Sequence, residues 1–185
     1  MEKKRCSWCN VKNPLYVQYH DEEWGVPLHD DGRLFELLVL ESFQAGLSWE
    51  CILNKRADFR IAFDNFAAAK VAGYDEAKIQ SLLANTSIVR NRQKIEAAIA
   101  NAGVFMAIQQ EFGSFDRYIW QWTAGQAIFE RGLASSVLSD TVAKDLKRRG
   151  MKFVGTKIIY SFLQAIGVVY SHEEGCFLGR WVQYQ

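Results

Sequence analysis

The chain has 185 residues, which is enough for a single domain with a sizeable hydrophobic core. Its formal net charge of +1 excludes a protein that attracts nucleic acid through its overall charge, so that any such role needs a local basic patch. No apolar run reaches about 18 residues and the polar N-terminus lacks the apolar core of a signal peptide, so we expect a cytoplasmic protein without a membrane-spanning helix.

Helical periodicity dominates the chain after residue 30, and the alternating pattern of half-buried strands is absent, so the sequence predicts an all-α fold. The only two prolines, Pro14 and Pro27, precede this region, which leaves the rest of the chain permissive for helices. Asp30 and Asp31 can cap the first long helix. Helices are predicted over residues 33–44, 49–59, 67–72, 75–84, 91–110, 140–149 and 156–166.

The first long helix carries one carboxylate on an otherwise apolar face. Leu34, Leu37, Leu38 and Ala45 follow helical spacing, and Glu41 lies on the same face. One interpretation is a buried glutamate that pairs with an arginine of the core. The other is a functional carboxylate that faces a pocket.

The last two predicted helices are joined by the short segment RGMKFVGT, which predicts a helical hairpin. Gly150 can adopt the left-handed conformation that ends a helix, and Thr156 can cap the next one. An ordinary solvated helix pair would also fit. The local charge favours binding to a DNA backbone through Lys152, Gly155, Thr156 and Lys157. Basic residues crowd the segment: Lys144, Lys147, Arg148, Arg149, Lys152 and Lys157.

Cysteine and histidine residues lie at both ends of the chain and suggest a metal site. Cys6, Cys9 and His20 lie near the N-terminus, whereas His172 and Cys176 have the His-x-x-x-Cys spacing of half a zinc site. These are five candidates for a tetrahedral site of four ligands. A structural zinc ion would join the two ends of the chain. The Cys-x-x-Cys pair could also be a redox motif, but the βαβ context of such motifs is missing.

Five motifs together resemble one known family. In chain order they are CSW, PLYVQYHDEEWGVP, LFELLVLESFQAGLSW, KRRGMKFVGTKIIYSFLQAIG and SHEEGC. They closely resemble the constitutive 3-methyladenine DNA glycosylase I family over nearly the whole chain, although residues 60–140 resemble it mainly in pattern. The resemblance implies a monomeric base-excision repair enzyme that hydrolyses the N-glycosidic bond of N3-methyladenine in double-stranded DNA.

The resemblance also implies a helix-hairpin-helix glycosylase fold over residues 1–185. A helical core would span about 30–167, and a zinc-binding annex would combine about 1–29 with 168–185. The family's zinc ligands correspond to Cys6, His20, His172 and Cys176. Cys9 lies outside the pattern, because the family motif reads Cys-x-Trp.

The family's base pocket corresponds to a glutamate surrounded by aromatic side chains. Glu41 and Tyr19 would act on the base directly, with Glu41 as a recognition group and not a general acid, since a cationic base already leaves readily. Gly46 and Leu47 correspond to the segment that fills the gap left by the extruded base. The pocket motifs contain no lysine nucleophile, so the enzyme should not cleave the strand. The base would also contact Trp49, Trp8, Tyr16 and Trp24.

The positively charged sugar that forms in the reaction needs stabilisation while water attacks it. Much of the wider superfamily uses an aspartate downstream of the hairpin for this purpose, and residues 168–177 contain no aspartate. Glu173 and Glu174 lie in this window, and one of them could take the place of the aspartate, but since they flank His172 we expect them to face solvent or to support the metal site. Two other functions remain open from the residues. One is a non-catalytic, zinc-stabilised DNA-binding module, and the other is a thiol-redox or metal-handling protein.

Overall fold

Helices form most of the described part of the chain, residues 3–179 of a computed structural model, which confirms the all-α class. A π-helical turn (Tyr19–Glu23) and two 3-10 turns (Asp64–Phe66 and Gln121–Thr123) join them. The α-helices are α1 (Pro14–Gln18), α2 (Asp31–Gln44), α3 (Trp49–Asn54), α4 (Arg56–Ala62), α5 (Ala68–Ala72), α6 (Glu76–Ala84), α7 (Arg92–Phe112), α8 (Phe115–Trp120), α9 (Val137–Arg148) and α10 (Thr156–Ala165).

Capping side chains set the starts of two functional helices. Asp30 accepts a hydrogen bond from the backbone N–H of Arg33, and α2 begins two residues earlier than predicted. Ser136 and Ser139 form a reciprocal capping box, so α9 begins three residues earlier than predicted. Each cap satisfies backbone donors that the first helical turn would otherwise leave without partners.

The helix predicted over residues 49–59 is wrong as a single element. α3 and α4 meet at Lys55, a turn residue with φ of −99° and ψ of 0°, and no glycine or proline marks this position. Two short helices were not predicted, α1 and α8. Their capping residues, Asn13 and Ser114, are nevertheless of types that commonly cap helices. In the structure they accept hydrogen bonds from the N–H groups of Leu15 and Arg117.

α2 is the central helix of the core and is buried on all sides. It contacts α3, α7, α8 and α10, and every residue from Leu34 to Phe43 is buried. This burial corrects the expectation of one apolar face, because Glu36 on another face is buried as well. Glu36 accepts hydrogen bonds from Arg56 and Arg60, and these ion pairs balance its charge.

Two short strands bring distant segments together. β1 (Ile128–Phe129) and β2 (Val169–Tyr170) pair in parallel, with Ile128 opposite Val169. Two residues are too few to produce an alternating pattern, so these strands could not be predicted from the sequence. The pairing places residues 130–133 beside the segment that begins at Ser171, and both segments reach the site described below.

The N-terminal segment packs against the end of the described chain. The backbone N–H of Phe177 donates to Lys4 O at 2.7 Å, and that of Leu28 donates to Ile166 O. At Gly167, φ is +76° and an added Cβ would lie 2.5 Å from the backbone of Pro27, so only glycine allows this approach.

The expected annex therefore has its two segments in contact, although residues 1–2 and 180–185 of it lie outside the described residues. Among residues 3–179, no helix has the length and apolar character needed to cross a membrane.

Candidate functional site

A cavity of about 380 Å³ opens between the N-terminal segment, α2, α3, α10 and residues 131–133. This volume falls within the range of small-molecule sites. All six residues predicted for the pocket line it: Trp8, Tyr16, Tyr19, Trp24, Glu41 and Trp49. Segments that are far apart in the sequence thus converge on one aromatic cavity.

Glu41 is a buried carboxyl group without a protein partner. Its side chain projects from α2, the residue is 3% exposed, and within residues 3–179 it forms neither a hydrogen bond nor an ion pair. Burial raises the pKa of Glu41 to about 8. The interpretation that Glu41 pairs with a core arginine is therefore wrong, and Glu36 is the glutamate that does so. Glu41 remains available to a ligand in the cavity.

Tyr19 and Trp49 form one aromatic wall beside Glu41. Their ring centroids lie 5.2 Å apart, with the planes tilted by 44°. Burial, reinforced by the Glu41 charge, raises the pKa of Tyr19 well above its usual value, so its hydroxyl stays protonated. The indole N–H of Trp49 is buried and has no hydrogen-bond partner in the described chain. The wall therefore offers a ligand two aromatic ring faces and the indole N–H of Trp49 as a hydrogen-bond donor.

Trp8 connects the cavity to the cysteine and histidine residues behind it. Its ring lies 5.6 Å from Tyr16, 4.7 Å from Trp24 in an edge-on arrangement, and 5.1 Å from His20. Such tilted and edge-on contacts are the favoured geometries of aromatic pairs. The second wall of the cavity is thus packed directly on the candidate metal site.

Cys6, His20, His172 and Cys176 form a buried cluster whose ligand atoms all lie within 4.8 Å of one another. His172 Nδ1 is 3.4 Å from Cys6 Sγ and 3.7 Å from Cys176 Sγ, and His20 Nε2 is 3.5 Å from Cys176 Sγ. Tetrahedral zinc with standard bond lengths requires sulfur–nitrogen separations of about 3.6 Å. The four residues therefore fit a Cys2His2 zinc site.

The groups around the cluster orient its ligands. His20 Nδ1 lies 2.8 Å from Asp21, which Arg5 also holds, and His172 Nε2 lies 3.2 Å from Trp24 O. These contacts direct the other ring nitrogen of each histidine into the cluster. Burial raises the pKa of the Cys6 thiol to about 12, so a nearby cation is needed to hold the thiolate.

Cys9 does not belong to the cluster. Its Sγ contacts Tyr16 O at 3.7 Å, and all four cysteines are free thiols. Cys6 and Cys9 therefore do not act as a pair, and the apparent redox motif separates into one cluster residue and one packed residue.

The segment after α2 forms a tight turn at the edge of the cavity. Leu47 N–H donates to Gln44 O at 2.7 Å, Ala45 has φ −49° and ψ 116°, and Gly46 has φ +80°. This is a type II β-turn, which requires the left-handed conformation that glycine adopts without strain. Leu47 is 39% exposed between Gln44 and Trp49, which both line the cavity. The turn presents an apolar side chain beside the opening.

The helical hairpin is formed by α9, the 149–155 loop and α10. Gly150 has φ +104°, and its N–H donates to Lys147 O while that of Met151 donates to Leu146 O, as in a Schellman motif. The predicted cap at Thr156 is wrong, because Gly155 occupies the cap position and the Thr156 hydroxyl lies 2.9 Å from Ser139 Oγ. The predicted hairpin otherwise agrees with the structure.

Part of the basic cluster on the hairpin is neutralised. Arg149 pairs with Glu111 and Asp145, and Arg148 also pairs with Asp145. Four lysines are exposed and form no ion pair within residues 3–179: Lys144, Lys147, Lys152 and Lys157. The positive charge available to a polyanion is therefore that of the lysines.

Several cavity residues had no signal in the sequence. Arg131 donates to His172 O and Gly179 O and enters the cavity wall because β1 pairs with β2. Glu173 holds the backbone N–H and hydroxyl of Ser7, whereas Glu174 is exposed. The other lining residues that were not predicted are Gln44, Gly132, Leu133, Ser161, Gln164 and Ser171.

Comparison with known proteins gives one consistent family. The sequence model of the methyladenine glycosylase family matches residues 8–179. DNA-3-methyladenine glycosylase 1 of Escherichia coli is 41% identical over 179 residues, which cover 94% of this chain and 95% of that protein.

Solved structures agree with this result. A crystal structure of 3-methyladenine DNA glycosylase I has a TM-score of 0.90 at 44% identity, covering 94% of this chain and 98% of that one. The Staphylococcus aureus 3-methyladenine DNA glycosylase I, solved to explain 3-methyladenine recognition, has a TM-score of 0.91 at 34% identity. That comparison covers 97% of this chain and 100% of the S. aureus chain.

Proposed function

The chain belongs to the methyladenine glycosylase family, and we propose that it excises N3-methyladenine from alkylated double-stranded DNA by hydrolysing the N-glycosidic bond. The observation that carries this proposal is the buried, unpartnered carboxyl group of Glu41 in an aromatic cavity. A protein that only binds a polyanion has no use for such a group.

The charge of the damaged base explains this arrangement. Methylation at N3 makes adenine cationic within DNA, and a cation over an aromatic face gains about 0.5–2 kcal/mol. Its charge also favours the ionised form of Glu41, which burial alone disfavours. The carboxylate can then accept hydrogen bonds from the adenine amino group. Normal adenine is neutral and offers no such compensation.

The reaction requires extrusion of the base. A base within a duplex cannot reach the cavity, so the nucleotide must rotate out of the stack, and the apolar Leu47 at the cavity edge can hold the gap open. The C1′–N9 bond then breaks, with its electron pair leaving on the methylated base. Because the base departs as a neutral molecule, it needs no proton from Glu41. Water adds to the sugar at C1′ and loses a proton.

We propose that Tyr19 and Trp49 enclose the base, with Trp8, Tyr16 and Trp24 completing the pocket. Support comes from the ring contacts of Tyr19 with Trp49 and of Trp8 with both Tyr16 and Trp24. The cavity lining contains no lysine, which agrees with hydrolysis without strand cleavage.

We propose one structural zinc ion held by Cys6, His20, His172 and Cys176. The buried ligand set and its sulfur–nitrogen distances support this assignment. The ion would supply positive charge to the two thiolates and would join segments far apart in sequence. Its role is to hold the wall formed by Trp8 and Trp24, which pack on the cluster histidines.

We further propose that the 1–185 chain acts as a single glycosylase domain, with the helical hairpin binding the DNA backbone. Lys152 and Lys157 are exposed, and Gly155 and Thr156 begin α10, where backbone N–H groups can meet a phosphate. Gly46 and Leu47 contact the duplex at the lesion. The monomeric state and the cytoplasmic location stay predictions.

A base-release assay tests the function. Zinc-loaded protein is incubated with methylated duplex DNA, and the released bases are separated by chromatography while strand integrity is followed on a gel. We expect free 3-methyladenine and intact strands. A Glu41→Gln variant that retains its zinc should release far less base. If the intact, zinc-loaded protein released no base, the enzyme assignment would be wrong and a DNA-binding module would remain.

A further inference from the structure

Two loops that the proposed function brings to DNA are both attached to one face of α7. The first is the Gln44–Leu47 turn, and the second is the 149–155 loop of the hairpin. The attachments are Lys94 and Asn101, which are 8% and 1% exposed. Seven residues span about two helical turns, so both side chains lie on the same face, separated by about 10 Å along the axis.

Lys94 holds the first loop through its side-chain ammonium group. Nζ donates to Phe43 O at 2.7 Å and to Ala45 O at 2.6 Å. These carbonyls lie at the end of α2, where the helix leaves acceptors without backbone donors and where its dipole favours a cation. The contact to Ala45 O fixes the first central residue of the type II turn, directly before Gly46.

Asn101 holds the second loop through both atoms of its amide. Its Nδ2 donates to Lys152 O at 2.9 Å, and its Oδ1 accepts from the Lys152 N–H at 2.8 Å. The hydroxyl of Ser42 adds a contact from α2 to Phe153 O at 3.2 Å. The backbone beside the exposed Lys152 side chain is therefore fixed, whereas the side chain itself remains in solvent.

Burial of the polar side chains of Lys94 and Asn101 on a packed helix face is unfavourable unless they form hydrogen bonds. Burial disfavours the charge of Lys94 and lowers its pKa, and α7 is otherwise packed with apolar residues such as Ile95 and Ala98. An apolar side chain could pack without this penalty, but it could not fix the carbonyls of a turn. Lys94 binds backbone carbonyls at the end of α2 and in the turn that follows it, and Asn101 binds the backbone of the hairpin loop.

We infer that Lys94 and Asn101 are positioning residues, which hold the Leu47 turn and the hairpin loop at a fixed separation so that both engage one duplex. The inference rests on the proposed function. It predicts that each residue affects duplex binding or excision through its own loop, whereas the affinity of the cavity for the free base is unchanged.

The test compares Lys94→Met and Asn101→Leu with wild type, after zinc content and thermal melting establish that each variant is folded. We expect Lys94→Met to slow single-turnover excision about tenfold and Asn101→Leu to weaken duplex binding about tenfold. Affinity for free 3-methyladenine should stay within about twofold of wild type. Lys70→Met, which removes an exposed charge from α5, is the matched control and should behave as wild type.

Double-mutant cycles separate positioning from general stability. Lys94→Met should reduce the excision rate much less in a Leu47→Ala background, because the turn then has no apolar side chain to position. In a Lys152→Ala background it should reduce the rate as much as it does in the wild-type protein. Lys94→Arg, which retains the charge and donors, should restore part of the rate. If Lys94→Met does not fold, the shorter neutral donor in Lys94→Gln is used in the same cycles.

An equal reduction of the excision rate by Lys94→Met in both backgrounds would overturn the inference. Folded variants with wild-type excision and binding would overturn it as well. The proposed function is judged separately by wild-type base release. Should wild type release no base, binding of a labelled duplex with a central tetrahydrofuran abasic site still tests both residues. Unchanged binding by Asn101→Leu and Lys94→Met in that assay refutes the positioning roles.

Discussion

We expect the Glu41→Gln substitution to stabilise the folded protein at neutral pH while it impairs function. Burial raises the pKa of Glu41 from 4.5 to about 8, so the folded state favours the protonated carboxyl group. A group with a raised folded pKa contributes its full stability below the unfolded pKa and loses it as pH rises through the folded pKa. The wild-type protein therefore loses stability between about pH 4.5 and 8, and glutamine does not titrate.

The size of the effect follows from the pKa difference. At pH 7 the ionisation of Glu41 lowers the free energy of unfolding of the wild-type protein by about 3 kcal/mol relative to acidic conditions, whereas at pH 5 it lowers it by only about 1 kcal/mol. Above pH 8 the cost levels off at about 5 kcal/mol. The free energy of unfolding of Glu41→Gln should thus exceed that of wild type by an amount that grows with pH.

Urea unfolding of the zinc-loaded proteins at pH 5, 7 and 9 measures this difference. The proposed zinc ligands are the same in both proteins, so their contribution should cancel when the two are compared at each pH. Glu41→Ala is the matched control, because it leaves a void and lowers stability but shares the pH dependence of Glu41→Gln relative to wild type. A difference that stays constant from pH 5 to 9 would refute a raised pKa at Glu41.

Four further outcomes are expected. The kcat/KM for excision should rise about tenfold per pH unit from pH 6 towards 8, since ionised Glu41 binds the cationic base; a flat profile in steady-state assays would contradict this. Cys176→Ser should lose zinc by elemental analysis and should unfold at lower temperature, whereas Cys9→Ser should retain one ion per chain. Leu47→Ala should slow excision about tenfold without changing affinity for free 3-methyladenine, and Lys152→Ala should reduce the salt dependence of duplex binding by about one counterion.

The residue types alone indicated five candidate ligands for the cluster, whereas the choice of four among them and the aromatic residues of the pocket came from the family resemblance. Cys6, His20, His172 and Cys176 combine rare ligands at suitable spacing, and the structure brings all four together. Glu41 was noticed as a carboxylate on an apolar helix face. The sequence did not show that Glu36, on another face, is also buried and is the glutamate that pairs with arginines, because the burial of α2 on all sides depends on packing that periodicity does not encode.

Other residues acquire a role only through tertiary contacts. Arg131 reaches the cavity wall because two two-residue strands pair across 40 positions of the chain, from Ile128 to Val169. Lys94 and Asn101 look like ordinary polar residues of an amphipathic helix. Their directed bonds to two distant loops become visible only when the position of α7 is known.

The continuity of α2 with the Gln44–Leu47 turn has a kinetic consequence. Leu47 follows Glu41 by six residues and lies in the turn that directly continues α2, so we expect the group that contacts the base and the group that opens the stack to move together. Under the proposed function, opening of the stack and recognition of the base are therefore coupled. Discrimination among bases then depends both on how readily each base leaves the stack and on the charge that Glu41 and the aromatic walls recognise.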